Sequence, residues 1–174
     1  MAQKKLMILG ASQLQLPAII KAKEMGLHVI VLDINKDAVG TVYADEFYEI
    51  STIDIEHIVI KAKELKIDGI MTLATDMPMR AVAAVGEMLG LNTINYETAI
   101  MATNKVKMRE ILSYYGVPIP FFSSVRTYED FKRVVNTFHG DLIVKPADSS
   151  GSRGVFLLQD NIELEKIYNY SKKY

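Results

Sequence analysis

The chain has 174 residues, enough for one complete domain and part of another. Its 49% hydrophobic and 24% charged residues are those of a globular protein, and 20 Lys plus Arg against 21 Asp plus Glu exclude a global field that would hold nucleic acid or an anionic membrane surface. There are no cysteines, which excludes disulfide frameworks, thiolate zinc sites and cysteine nucleophiles.

From the N-terminus, Met1-Ala2-Gln3-Lys4-Lys5 leads into only four clearly apolar residues before Gly10, too few for a signal peptide. Leu6 to Leu9 reads as a first strand. Leu14, Ala18, Ala22 and Met25 then recur at helical spacing, with Pro17 in the helix's first turn and Gly26 as its stop. His28 to Leu32 is a continuous apolar run suited to a strand buried on both faces, ending at Asp33. Ile55, Ile58, Ala62 and Leu65 mark a second helix, and Gly69 to Leu73 a third strand. Thr75 or Asp76 is expected to cap the next helix, with Pro78 near its start, Val82, Val85 and Leu89 facing inward, and Gly90 closing it. This βαβαβα order predicts an α/β domain over residues 1–95: a parallel sheet of Rossmann-like winding, its loops gathered at the strand carboxyl ends. The apolar runs are strand-sized, far short of the roughly 20 residues that span a bilayer, so a cytoplasmic protein without membrane contact is expected.

Past residue 95 the regular alternation ends, and a second module is expected over 96–174. Met108, Ile111, Leu112 and Tyr115 are predicted to form one helix face, Gly116 to end that helix, and Pro118 and Pro120 to enforce an extended stretch. Thr127 and Asp130 resemble a capping pair before Phe131, Val134, Val135 and Phe138. Leu142 to Lys145 and Val155 to Leu158 read as a hairpin around a polar loop, with a last helix from about Asn161. Two strands are fewer than an independent sheet needs, so the module is expected to be incomplete.

Three places carry candidate chemistry. In Lys145-Pro146-Ala147-Asp148-Ser149-Ser150-Gly151-Ser152-Arg153-Gly154, a lysine at a strand end precedes a loop of small residues. Its N–H groups and hydroxyls can wrap phosphate oxygens while Arg153 adds charge. A Ser/Gly loop alone is more often a solvent-exposed turn, but a lysine closing an apolar strand favours an anionic partner. In Asn104-Lys105-Val106-Lys107-Met108-Arg109, cations crowd a helix start where the macrodipole disfavours them; an anionic ligand could compensate, and a solvated face explains Lys107 and Arg109 equally well. Third, Gly10-Ala11-Ser12-Gln13 follows the first strand, with Asp33 ending the second. As a dinucleotide fingerprint it fails, because Ser12 and Gln15 stand where two of three glycines belong. A polar loop for another small molecule remains open. The three histidines, His28, His57 and His139, read as structural.

Together, Asn104-Lys105 opening a helix that reaches Arg109-Glu110-Ile111-Leu112, then Gly116-Val117-Pro118, then Ile143-Val144-Lys145-Pro146 and the Ser/Gly loop resemble the ATP-grasp superfamily, near the carbamoyl phosphate synthetase large subunit, biotin carboxylase and the purine-pathway ligases. The resemblance covers essentially the whole chain, and the spacing of about 40 residues between the lysine motifs makes it specific. It implies an incomplete ATP-grasp small lobe behind a pre-ATP-grasp domain, in an ATP-dependent carboxylate–amine or carboxylate–thiol ligase that forms an acyl phosphate. By the same resemblance ATP is bound by Lys105, Lys145, Ser149, Ser150, Gly151, Ser152, Arg153 and Gly154, the loop from Ser149 acting as a flap. Gly10, Gln13 and Asp76 would face a small carboxylate substrate. Magnesium is the implied cofactor, with ligands expected downstream of Tyr174 and none in this chain, so the fragment alone is expected to be inactive. A homodimer is an expected assembly. The alternative is a non-catalytic small-molecule or nucleotide-binding regulatory module with the same front domain.

Overall fold

The computed structural model describes residues 3–158 and 163–174. Chain contacts divide it into two compact units, residues 1–103 and 104–174.

In the first unit, β1 (Lys5–Leu9), β2 (His28–Asp33), β3 (Glu46–Glu49) and β4 (Gly69–Thr72) form one parallel sheet in the order β3-β2-β1-β4. The register sets Leu6 beside Val29 and Gly69, and Ile30 beside Glu46. Because neighbouring side chains on a strand point to opposite faces, β1 and β2 divide their apolar residues between two layers. Met7, Leu9, Ile30 and Leu32 pack under α2 (Ile55–Leu65) and α3 (Met79–Leu89), meeting Ile58, Ala62, Val82 and Val85. Ile8, Val29 and Val31 pack under α1 (Leu16–Glu24), meeting Ile19 and Ala22. Burying each of these side chains is worth about 1.5–3 kcal/mol, so the two central strands anchor the unit.

The sequence reading counts three strands, and the structure has four. β3 escapes it because Glu46-Phe47-Tyr48-Glu49 is a half-buried edge strand with charged ends. Side chains hold it in place. Glu46 lies 2.6 Å from His28 Nε2 and accepts from the Tyr48 hydroxyl at 2.6 Å, while Asp45 accepts from Val29 N–H at 2.7 Å and from Lys23 at 2.5 Å. The hydrogen bond to Glu46 is the main reason the Tyr48 phenol is pushed up to about 12.

Capping also differs from expectation before α3. Neither Thr75 nor Asp76 caps by its side chain; Pro78 is itself the N-cap, and Met79 N–H donates to the Asp76 carbonyl. Proline's fixed φ lets it start the helix directly. A further helix, α4 (Tyr96–Thr103), belongs to the first unit: Tyr96 N–H donates to Glu87, and Arg80 Nε to the Thr103 hydroxyl at 2.7 Å.

The second unit contains α5 (Lys105–Tyr114), α6 (Tyr128–Thr137), the antiparallel hairpin β5 (Leu142–Val144) and β6 (Phe156–Leu158), and α7 (Leu164–Ser171). The expected start of the last helix, Asn161, lies outside the described residues. Thr127 caps α6 by accepting from Asp130 N–H, and its hydroxyl donates to the Asp130 carboxylate at 2.8 Å. Phe131 of α6 stacks on Tyr168 of α7, whose hydroxyl donates to the Arg126 carbonyl. Tyr115, expected on a helix face with Met108, Ile111 and Leu112, is the C-cap of α5 and 74% exposed, and no residue of that helix is buried.

Candidate functional site

The second unit brings its cations together around the loop after β5. Asn104 caps α5, its side-chain oxygen accepting from the N–H groups of Val106 and Lys107, while its amide donates to Asp148 at 2.8 Å. Lys105 N–H donates to the Ala147 carbonyl at 3.0 Å, and its ammonium donates to the Ser149 carbonyl. The start of α5 is therefore pinned to the loop at three successive residues. Lys145 follows β5 directly. Its pKa is held below the ordinary lysine value, first by desolvation and then by repulsion from Arg109 and Lys105. Lys105 and Arg109 are four residues apart on α5, hence on one face of it. Three positive groups thus share one region, and an anion placed among them would offset their repulsion and compensate by its attraction for the hydration Lys145 has lost.

The flap has an unusual backbone. Gly151, Ser152 and Gly154 have φ values of +69, +57 and +71°, the left-handed region that only glycine enters freely. A Cβ on Gly154 would press on the Pro146 ring at 2.9 Å and on Tyr174 at 3.1 Å. The Gly154 carbonyl accepts from the Ser171 hydroxyl at 2.6 Å, so α7 fastens the far end of the flap. Ser150, Gly151, Ser152 and Arg153 lie between that anchor and the Lys105 anchor. Arg153 donates from Nε to the Ser150 carbonyl at 3.3 Å and stands 5.9 Å from the centre of the Tyr174 ring.

In the first unit, the loop after β1 closes on itself. Gly10 is buried, with φ +98°, and its N–H donates to the Leu32 carbonyl at 2.8 Å. Asp33 accepts from Ala11 N–H through one oxygen and from Asn35 N–H through the other. Gln15, only 4% exposed, donates to the Leu73 carbonyl at 2.5 Å and so ties the loop after β1 to the loop after β4. Gln13 is exposed and borders a shallow groove along α1, and Asp76 is exposed in the loop before α3.

No family model matches the chain. Over 175 residues it is 27% identical to a formate-dependent phosphoribosylglycinamide formyltransferase of Hydrogenovibrio crunogenus, the match covering 97% of this chain and 43% of that protein. Among solved structures, a phosphoribosylglycinamide synthetase from Anaerococcus prevotii is 27% identical with a TM-score of 0.69, over 99% of this chain and 43% of the other. The biotin carboxylase domain dimer of Hydrogenobacter thermophilus 2-oxoglutarate carboxylase, with MgADP, ADP and bicarbonate, is 22% identical with a TM-score of 0.74, over 98% of this chain and 41% of the other. The chain is a homologue of the N-terminal part of ATP-grasp ligases. It spans about two fifths of the length of these relatives.

Within this ATP-grasp homologue, Lys105, Lys145 and the flap residues Ser149 to Gly154 gather in the second unit, while Gly10, Gln13 and Asp76 belong to loops of the first. Gly10 presents no side chain and spends its N–H inside the sheet, so the exposed polar residues of these loops include Ser12, Gln13 and Asp76. Three further residues stand out from the geometry. Arg109 had a legible signal, its helical spacing from Lys105. Ser171 and the anchoring role of Gln15 had none, because each acts on a backbone carbonyl far away in the chain.

Proposed function

We propose that this chain supplies the front part of an ATP-dependent ligase that activates a small carboxylate as an acyl phosphate and passes it to an amine. The observation that carries the reading is the convergence of Lys105, Arg109 and Lys145 beside the flap, with the Lys145 ammonium destabilised until an anion arrives. Lys105 and Lys145 orient the phosphates of ATP; Ser149 to Gly154 cover them with N–H and hydroxyl donors, and Arg153 adds charge at the reacting end. The substrate carboxylate oxygen attacks the γ-phosphorus, the bond to the β-γ bridging oxygen breaks, and ADP leaves. Positioning and charge neutralisation carry such a transfer.

Among the described residues no three His, Cys, Asp or Glu side chains gather to hold a metal ion. Magnesium would neutralise phosphate charge, and we assign its ligands to sequence beyond Tyr174. The phosphoribosylglycinamide formyltransferase and synthetase, each 27% identical, support the general ligase chemistry; a carbamoyl phosphate synthetase-like substrate is a narrower version of it. The charge balance and the lack of any described helix long and apolar enough to cross a membrane support a cytoplasmic protein with small-molecule partners.

The test is nucleotide titration by calorimetry. In the complete protein, Lys145→Ala is expected to weaken ATP binding at least tenfold, about the loss of one charge-assisted hydrogen bond of roughly 1.5–3 kcal/mol, without loss of helical circular dichroism. Unchanged affinity would remove the assignment. The 174-residue chain by itself is expected not to turn ATP over, and magnesium-dependent ATP consumption by it would contradict the placement of the metal ligands.

A further inference from the structure

A parallel α/β sheet ordinarily offers phosphate a cradle of free N–H groups where its first strand passes through a glycine-rich loop into a helix. Here that cradle is filled from within. Gln15 Oε1 accepts from both the N–H of Ser12 at 3.2 Å and its hydroxyl at 2.6 Å, the two kinds of donor a phosphate oxygen would use. The Ser12 hydroxyl oxygen accepts from Leu14 N–H, and the Ser12 carbonyl accepts from the N–H groups of Gln15 and Leu16. Gly10 and Ala11 donate to Leu32 and Asp33, and Ala18 to the Gln15 carbonyl. Pro17 has no N–H. Among the described residues, Gln13 is the one position from Gly10 to Ala18 whose N–H has no acceptor.

The plug is also held from both sides. Gln15 Nε2 donates to the Leu73 carbonyl, next to Ala74, whose φ of +57° is strained for a residue with a Cβ. Gly40 N–H donates to the Ala11 carbonyl at 2.7 Å, and a Cβ on Gly40 would meet that same oxygen at 2.7 Å. Turning the Gln15 amide out would break its hydrogen bonds to Ser12 and to the Leu73 carbonyl together, and Gln15 itself is only 4% exposed.

We infer that the Gln15 side chain occupies the anion position of the front unit as a built-in neutral surrogate, so that Gln15 determines specificity by excluding phosphorylated substrates from the loop after β1. The ligand met there is an unphosphorylated small molecule, approached by the exposed side chains of Gln13 and Asp76. The ligand assignment rests on the ligase reading above.

The experiment titrates the protein with inorganic phosphate and with ribose 5-phosphate by calorimetry while recording amide NMR shifts of residues 10–18. The wild type is expected to bind neither at this loop. Gln15→Gly, which frees the Ser12 donors and suits an N-cap, is expected to bind both at least about tenfold more tightly, with shifts at Ser12 and Leu14. Gln15→Glu keeps the size but places a negative charge in the cradle, and should remain as blind to phosphate as the wild type. Amide shifts at Ser12 with ribose 5-phosphate in the wild type would overturn the inference. So would a folded Gln15→Gly, as judged by its sheet amide spectrum, that gains no affinity. Should Gln15→Gly lose that spectrum, Gln15→Ala takes its place under the same two outcomes. ATP titration of the same samples reads the ligase proposal separately: lost nucleotide binding by the wild type would sink that proposal while leaving the phosphate result standing.

Discussion

The loop after β1 and the loop after β5 look alike as sequence, each a run of small and polar residues following an apolar strand, yet the fold treats them in opposite ways. In residues 10–15 the backbone amides other than that of Gln13, together with the Gln15 side-chain amide, have partners within the first unit, among them the Asp33 carboxylate and the Leu32 and Leu73 carbonyls. Residues 149–154 are fastened at their ends by Lys105 and Ser171 and lie beside positive charges that repel one another. A polar loop that completes its own hydrogen bonds is scaffolding, whereas one that leaves like charges facing each other is set for an outside ligand. The cores beneath them differ in parallel. β1 and β2 bury nearly every apolar side chain they carry, while among the described residues Phe131 and Ile167 are the buried hydrophobic side chains of the second unit.

The sharpest way to break this contrast is in the cores. Ile30→Ala, at a fully buried position, should destabilise the first unit by about 2–5 kcal/mol, whereas Ile143→Ala, 63% exposed, should stay within about 0.5 kcal/mol. Urea unfolding followed by methyl NMR separates the two units, and comparable losses would refute the difference in packing. Next, Gly154→Ala forces a Cβ into the left-handed region and against Pro146 and Tyr174, for an expected loss of about 1–3 kcal/mol in the second unit. The same substitution at Gly151, which has open space around it, should cost less, since only the backbone conformation is strained.

Smaller effects follow from protons, and their signs differ between the units. Asp45 is held below 3.8, chiefly by the Lys23 hydrogen bond, and Glu46 below 4.5, chiefly by the Tyr48 and His28 hydrogen bonds. Their contribution is present above those values and fades as pH falls through the lowered folded values, so the first unit should weaken in acid. In base, unfolded Tyr48 loses its proton near 10.0 while the folded residue keeps it to about 12, so the first unit should also weaken between those values. Lys145 works the other way. Below 10.5 the unfolded chain holds this proton more tightly than the fold does, so stability of the second unit should rise as pH climbs from the depressed folded value towards 10.5. The Ile167 urea midpoint should therefore rise between about pH 8.5 and 10.5 relative to that of Lys145→Gln, a comparison that cancels the opposite effect of the raised Tyr170 phenol, and equal movement in the two would count against the cation cluster. The smallest expected change is Thr127→Ala, about 1 kcal/mol lost with the α6 cap, seen as faster hydrogen exchange at Asp130.

Residue pattern alone located β1, β2, α1, α2, α3 and the hairpin, because continuous apolar runs and 3.6-residue periods are properties of the chain itself. It missed β3, whose Glu46 and Glu49 hide a strand stabilised by His28 and Asp45, and it missed α4, which has little amphipathic contrast to reveal it. The spacing of Met108, Ile111, Leu112 and Tyr115 says which residues share a face of α5, and burial, which that helix lacks, depends on what packs against it.

What the sequence by itself determined is the two-part α/β plan, the lysine motifs and the glycines where left-handed turns must fall. Only the tertiary structure decided which loop is closed and which is charged. Gln15 reaches a carbonyl 58 residues away, Lys105 one 44 residues away, and the Lys145 depression comes from burial and from neighbours on another helix. Those contacts depend on strand register and helix docking, which bring distant segments within hydrogen-bonding reach and leave no periodic trace in the order of residues.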